Sequence, residues 1–569
     1  LAAAPQVPVS KCFILSCRTS NSADFEQLAG LAKEMGATDV DVSDLPKDRW
    51  QWFDPADPYP NWSMLASGIL KVMVPPELQP AVPVANAQLC QKILAGRGEI
   101  LRRQGLKAFF HGCEPMWLPE AVYAQHPTWR GCTCQAPERS RHNYWAPCID
   151  RPEVLELYKK ATAGLCRLVP IEEFDFLAND SGSGICWDPG LYTGANGPED
   201  VKDRPIADRV NGFMAALRDG AKEAGVDTSI VIKKYHLLAP GHPEKTVSAG
   251  GGDYFWSSKV YPVLGIPDMM QFAMELEDVF AQPDAEWILG IPTLEFTGYF
   301  DLIRLFRQSP IQGPLQRTQA LNSVAANMVG EADAARLVQA WQDIHDAIQV
   351  LARIDNGGPV LLLGTVNQRW LVRPLVPFPL ELPAAEKEYY RRFQFQGNTE
   401  ENAANLMNLQ GLYAISGDAG TNLANDLFQH TIEHLRAARR QLATILAAKG
   451  APASVQALDL RLQALILVTK NADITARYQA YLDRFRPEWQ SRPDHHGFPT
   501  AQDGKNLVTE DAANTRDLIR LLHSTDIPLI AVAPTAGEED VFQFGPGLLG
   551  ELERKIQIEE DHLADHYRL

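Results

Sequence analysis

Three carboxylates in this 569-residue chain stand where they can do chemistry. Asp180 follows the alternating apolar run of Phe174, Phe176 and Leu177 in EEFDFLANDSGSGICW (Glu172–Trp187), directly after Asn179. Glu295 lies between Leu294 and Phe296, and Glu114 lies in His111-Gly-Cys-Glu114-Pro-Met-Trp117. A glutamate between apolar neighbours at a strand end is costly to bury unless it is used or paired. Two carboxyl groups facing one glycosidic bond are what its hydrolysis needs: one protonates the leaving oxygen, the other attacks or activates water. Asp180 is the favoured acid, because Asn179 can bind a neighbouring sugar hydroxyl. Glu295 is its favoured partner, and Glu114 a third candidate able to displace either. Bland roles compete with these. Asp180 can cap the Ser-Gly-Ser-Gly turn, Glu295 can pair with Arg304, and His111 can be a hydrogen-bonded core histidine.

Polar and aromatic groups accompany the carboxylates at neighbouring positions: His111, Trp117, Asn179, Trp187, Lys234-Tyr235-His236 and Arg369-Trp370. A loop after Asp44 carries Trp50, Trp52, Phe53, Tyr59 and Trp62. Aromatic faces with amides and charged groups match the C–H faces and hydroxyls of a pyranose. Asn179, His111, Lys234, Tyr235 and Arg369 are therefore expected to orient a sugar, with Trp117, Trp187 and Trp62 stacking on it. Packing is the ordinary alternative for each tryptophan, and an ion pair for Arg369.

The elements that must hold these residues alternate strand-like and helix-like segments through the first two-thirds of the chain. Strands are expected at Lys11–Ser16, Thr38–Val42, Leu106–His111, Phe174–Ala178, Ser229–Lys234, Met269–Met274, Trp287–Phe296 and Pro359–Gly364. Helices are expected at Asp24–Met35, Gln88–Gln104, Glu153–Leu168 with Asp150 as its cap, Ala207–Glu223 and Ala334–Ile354. This pattern predicts a (β/α)₈ TIM barrel over 1–374, whose catalytic groups stand at the carboxyl ends of the strands. Neither a G-x-G-x-x-G after the first strand nor a Walker loop occurs, so nucleotide-binding sheets lose their main support. A Pro-rich stretch near 374 introduces a mostly helical C-terminal region, 375–569, with helices at Asn425–Leu446 and Leu458–Phe485 and a strand-like run at Pro528–Ala533.

Bulk properties narrow the field. Net charge is −18 without a block of like charge, which disfavours nucleic acid, anionic membrane surfaces and long polyanions. No apolar run of about 18 residues predicts a membrane span. The start at LAAAPQVPV suggests a trimmed leader, hence a periplasmic or secreted protein, or simply a cloning boundary. The odd count of nine cysteines, all in the first third, does not look like a disulfide framework. Cys132-Thr-Cys134 near His142 and Cys148 raises zinc. Its spacing is shorter than usual for structural zinc and no matched pair follows, so neither metal nor cofactor is expected.

The strand ending in Asn179-Asp180, with a later one ending in Glu295, resembles barrel glycosidases that place an Asn-Glu pair after strand four and a second Glu after strand seven. The layout is similar to α-glucuronidases and family 20-type hexosaminidases. HGCEPMWLPEAVYAQHPTWRG, WAPCIDRPEV and NDSGSGICW resemble bacterial glycosidase-like proteins, over about residues 11–375. This resemblance implies an O-glycosyl hydrolase of bacterial type, with Asp where the family has Glu at the acid position. There is no Asp-Glu pair after strand four, so acetamido-assisted catalysis is not implied. The expected function is an exo-acting glycoside hydrolase on an oligosaccharide or glycoside. Two rivals are a non-catalytic sugar-binding barrel and a metal-assisted hydrolase or lyase using His111, Glu114, His236 and Glu295. The C-terminal helices offer a surface for a homodimer.

Overall fold

The computed structural model describes residues 10, 12–17, 19, 21–46, 68–133, 143–179, 182–189, 196–233, 246–250, 260, 262–353, 370–391, 418–448, 450–485, 499–536, 539 and 543–569. Nine strands occur among them: β1 Phe13–Cys17, β2 Asp39–Asp41, β3 Lys107–Cys113, β4 Arg130–Thr133, β5 Trp145–Pro147, β6 Ile171–Leu177, β7 Ser229–Lys233, β8 Thr246–Ala249 and β9 Glu286–Ile291. β4 and β5 form an antiparallel pair. The other seven make one sheet in the order β7-β6-β3-β2-β1-β9-β8, every pairing parallel.

That order is informative. β1 is flanked by β2 and by the last strand, β9, as in a cylinder, and the two edges, β7 and β8, are consecutive in the chain. The sheet is a curled half-barrel. Expectation and structure agree on five of its strands in sequence order, and on β9 after trimming to Glu286–Ile291. One expected strand differs. Met269–Met274 opens a helix, Met269–Phe280. Met269, Phe272, Ala273, Leu276 and Val279 are all buried at helical spacing, and Asp268 caps it by accepting from the Gln271 amide at 3.0 Å. A short apolar run fits either period, and the cap decides. The expected strand at 359–364 lies outside the described residues.

Helices follow the strands because their apolar stripes need the sheet. Ser22–Met35 starts at Asn21, whose side chain accepts from the Ala23 and Asp24 amides, and stops at Gly36 in the left-handed region. Pro152–Leu168 starts with a proline in its first turn and no side-chain cap. Asp150, expected as that cap, instead pairs with Arg204 at 2.8 Å. Ile206–Glu223 packs against Pro152–Leu168 so closely that a Cβ on Gly220 would stand 2.3 Å from the Lys159 carbonyl oxygen. On the convex side of the sheet Phe110, Phe174 and Phe176 pack together, with centroids 5.5–6.5 Å apart.

The described residues divide into two compact units: those up to 312 apart from 260–273, and those from 313 together with 260–273. The second unit is helical. Glu331–Leu351 packs against Asp418–Leu446, which packs against Ala453–Asp483, and that against Ala501–His523. Its core includes Leu375, Ile474, Tyr478, Tyr481 and Val508. Residues of the late apolar run form only isolated bridges, Ile530 to Val263 and Val532 to Phe544. No described helix is long and apolar enough to cross a membrane.

Candidate active site

Alternation along the strands decides which side chains face the hollow of the sheet. Ile14, Phe109 and Ile288, from β1, β3 and β9, form one buried cluster. β3 is not a neighbour of β1 or β9, so these residues meet across the concave side. Two residues further along lie Ser16 and His111, on the same faces. Asp41 joins them: it accepts from the Ser16 hydroxyl at 3.0 Å and from the Ser43 amide at 2.8 Å. Asp175 on β6 is in register with His111. Exposure is 4% for His111, 5% for Asp41 and 4% for Asp175. The carboxyl-terminal half of the hollow therefore holds an imidazole and two carboxylates. Burial pushes the Asp41 carboxyl above its usual range, against the pull of Ser43, His111 and Ser16.

The amino-terminal half is acidic too. Cys12, Glu173 and Glu286 bring their side-chain ends within 4.8 Å of one another, and Asp39 lies beside Cys12. Burial, then the adjacent Glu286 and Asp175, push Glu173 up to about 9. Burial likewise raises Asp39.

Of the expected site residues, His111 lies in the hollow. Glu114 does not line an open cleft. It is completely buried, and its oxygens accept from the Ile69 amide, the Met116 amide at 2.9 Å and the Tyr158 hydroxyl at 2.7 Å. Burial lifts it to about 7, opposed by those three hydrogen bonds and Lys71. It braces the turn after β3 instead of facing a ligand. Trp117, expected as a sugar platform, is 1% exposed and packs edge-on to Tyr144 at 5.2 Å. It is a core residue. Asn179 has φ of 58° and accepts from the Ile185 amide at 3.0 Å, folding the chain back just after β6. Trp187 is fastened by its indole N–H donating to the Pro198 carbonyl at 2.7 Å, with Lys202 over its ring.

Glu295 is exposed, in the turn between β9 and the helix Gly298–Gln308. Its amide donates to the Thr293 hydroxyl at 3.1 Å. Arg304, its suggested ion-pair partner, pairs with Glu34 and Asp301 instead. Asp180, Lys234, Tyr235, His236, Arg369, Trp62 and the other aromatics of the 50–62 loop lie outside the described residues. Sequence reading missed Asp41 and Asp175. The signal was there: DVD (39–41) and EEFDFL (172–177) alternate acids with apolar residues, which sets Asp41 and Asp175 opposite the convex packing face. Among described residues the groups able to hold a metal are Cys148 with Asp150 and Cys186, Cys12 with Glu173 and Glu286, and Asp343 with Asp346 and His434.

No protein-family model matches the chain, and no curated protein matches it. Among solved structures the chain is similar to a GH138 enzyme targeting pectin rhamnogalacturonan II. The TM-score is 0.50 and identity 9%, over 99% of this chain and 68% of that one. It also matches an alpha-galactosidase from Lactobacillus brevis (TM-score 0.32, 13% identity, 54% of this chain and 41% of that chain). An O-GlcNAc hydrolase of Thermobaculum terrenum matches at a TM-score of 0.31, with 8% identity over 98% of this chain and 96% of that chain. At 9% identity the likeness to the GH138 enzyme is one of fold alone, and the chain has a glycosidase-like α/β fold.

Proposed function

We propose that this protein is an exo-acting glycoside hydrolase whose curled sheet closes into a (β/α)₈ barrel. The observation that carries the reading is the buried polar group Ser16, Asp41, Ser43, His111 and Asp175 at the carboxyl ends of the strands, where barrel enzymes do chemistry. Asn179 lies at that same end of β6, and Asp180 is the next residue in sequence. In this reading Asp180 protonates the leaving oxygen and Glu295, exposed beyond β9, attacks the anomeric carbon or activates water. His111, Asp41 and Asp175 bind sugar hydroxyls. Glu114 holds the turn after β3 as a positioning residue. Lys234, Tyr235, Arg369 and Trp62 complete the sugar contacts, and the kinship with α-glucuronidases and hexosaminidases belongs to the same proposal. The fold likeness to an enzyme targeting a pectic polysaccharide makes pectic oligosaccharides the first substrates to try.

The test is turnover of pectic oligosaccharides and aryl glycosides by wild type, Asp180→Asn and Glu295→Gln. Each variant is expected to lose roughly 10²–10⁴-fold in kcat with folding intact. Turnover like wild type in both variants would overturn the assignment. Saturable sugar binding by a wild type that releases no product would favour a non-catalytic barrel.

A further inference from the structure

Three of the thiols gather in one place away from the sheet's hollow. Cys132 comes from β4, Cys148 follows β5, and Cys186 comes from the segment after β6. Exposure is 0%, 0% and 1%. The Cys186 thiol interacts with those of both Cys132 and Cys148, and none of the three is in a disulfide. Asp150 completes the group. One of its oxygens lies 3.7 Å from the Cys148 sulfur, and the end atoms of Cys148, Asp150 and Cys186 are within 4.8 Å of one another. A tetrahedral zinc with Zn–S bonds of about 2.3 Å sets its sulfurs about 3.8 Å apart; Cys148, Asp150 and Cys186 are already grouped on that scale, and Cys132, beside Cys186 but outside that trio, would turn toward them to complete the set. In sequence the C-x-C spacing spoke against zinc. The fold supplies what the spacing lacked, a third thiol from 38 residues beyond Cys148 (186 minus 148).

The surroundings point the same way. Arg204 lies 2.8 Å and Arg209 3.6 Å from the other Asp150 oxygen. Arg209, itself 2% exposed, donates to the Cys186 carbonyl oxygen. One buried guanidinium thus orients two ligand-bearing segments, the role expected of groups just outside a metal's ligands. The charges also balance. Three thiolates and a carboxylate bring four negative charges, a divalent ion two positive ones, and the two arginines the remaining two. The packing is close as well: a Cβ on Gly197, where φ is 140°, would stand 2.7 Å from the Cys186 Cβ. We propose that Cys132, Cys148, Cys186 and Asp150 form a structural zinc site that ties the β4–β5 hairpin to the segment after β6.

Full-length protein purified under reducing conditions without chelator should contain about one zinc per chain by mass spectrometry of the metal. Removing it and adding cobalt(II) should give thiolate-to-cobalt charge-transfer absorption with tetrahedral ligand-field bands. Cys132→Ser, Cys148→Ser and Cys186→Ser should each cut bound metal at least about tenfold, while Cys166→Ser, on the helix Pro152–Leu168, leaves it unchanged. Should the variants not fold, the wild-type cobalt spectrum decides alone. Any of three results overturns the proposal: no stoichiometric metal before or after reconstitution, a cobalt spectrum without thiolate charge transfer, or a disulfide joining two of these cysteines in the purified protein.

Discussion

Glu114 shows how a single buried side chain can look catalytic in sequence and act as a brace. Three donors and full burial fix it. Burial outweighs those donors and the nearby Lys71, lifting its carboxyl from the ordinary 4.5 to about 7. The sign of the linkage follows. A carboxyl raised in the folded state binds its proton more tightly there than in the unfolded chain. Its contribution to stability is full below about pH 4.5 and is lost as pH rises through about 7. Glu114→Gln keeps the shape and one acceptor but cannot titrate. The stability of wild type relative to this variant should fall by on the order of 3 kcal/mol between pH 4.5 and 8. Urea denaturation of both proteins across that range measures it. Parallel curves would show that the Glu114 carboxyl stays near its ordinary value. Trp117 follows the same logic: a residue whose type suits a sugar is, at 1% exposure, part of the packing.

Strands separate two kinds of acid in this molecule. Asp41 and Asp175 lie toward the carboxyl ends, where the proposed chemistry belongs, whereas Asp39, Glu173 and Glu286 lie toward the amino ends, where barrels invest in stability. Glu173 is held up to about 9 by burial and by Glu286 and Asp175. Its stabilising protonated form is therefore lost as pH rises toward and through about 9. Glu173→Gln preserves a donor toward Glu286 and removes the charge. We expect it to match wild type near pH 5 and to exceed it by roughly 1–3 kcal/mol near pH 9, read from thermal or urea unfolding. Greater stability of wild type at pH 9 would refute this. Much of the sheet was legible in the sequence, because β1, β3, β6 and β7 are apolar runs bounded by helix signals. What stayed hidden was which face of each strand turned inward. Phe174 and Phe176 draw the eye in EEFDFL, yet they pack on the convex side, and Asp175 between them occupies the hollow. The setting of Glu295 differs from the expected strand end for a related reason: β9 ends at Ile291, and Pro292 cannot donate to the ladder beyond it. The Met269 segment was ambiguous in period until its Asp268 cap was seen.

At the scale of the whole chain, sequence order and compact units do not coincide. Residues 260–273 lie between β8 and β9 in sequence but belong to the helical unit. Their attachments are specific. The Leu264 amide donates to the Leu529 carbonyl at 2.9 Å, the Ala531 amide to the Pro262 carbonyl at 2.9 Å, and Asp268 meets the His345 ring at 3.0 Å. Val260, Val263, Ile266, Met269 and Phe272 are all buried, none more than 6% exposed. A chain ended at Gln312 would keep this segment and lose the residues that cover it. Each large apolar side chain returned to water costs roughly 1.5–3 kcal/mol, and together they form a patch that promotes association. Such a shortened chain should therefore bind a hydrophobic dye strongly and elute as aggregates in size-exclusion chromatography. Replacing Val260, Val263 and Ile266 by serine should act in opposite directions in the two contexts. In the shortened chain it should lower dye binding and recover monomer, and in the full chain it should destabilise the helical unit. A shortened chain that is already monomeric and dye-silent would mean that the segment finds its cover within the first 312 residues. The curled sheet would then fold independently of everything after Gln312.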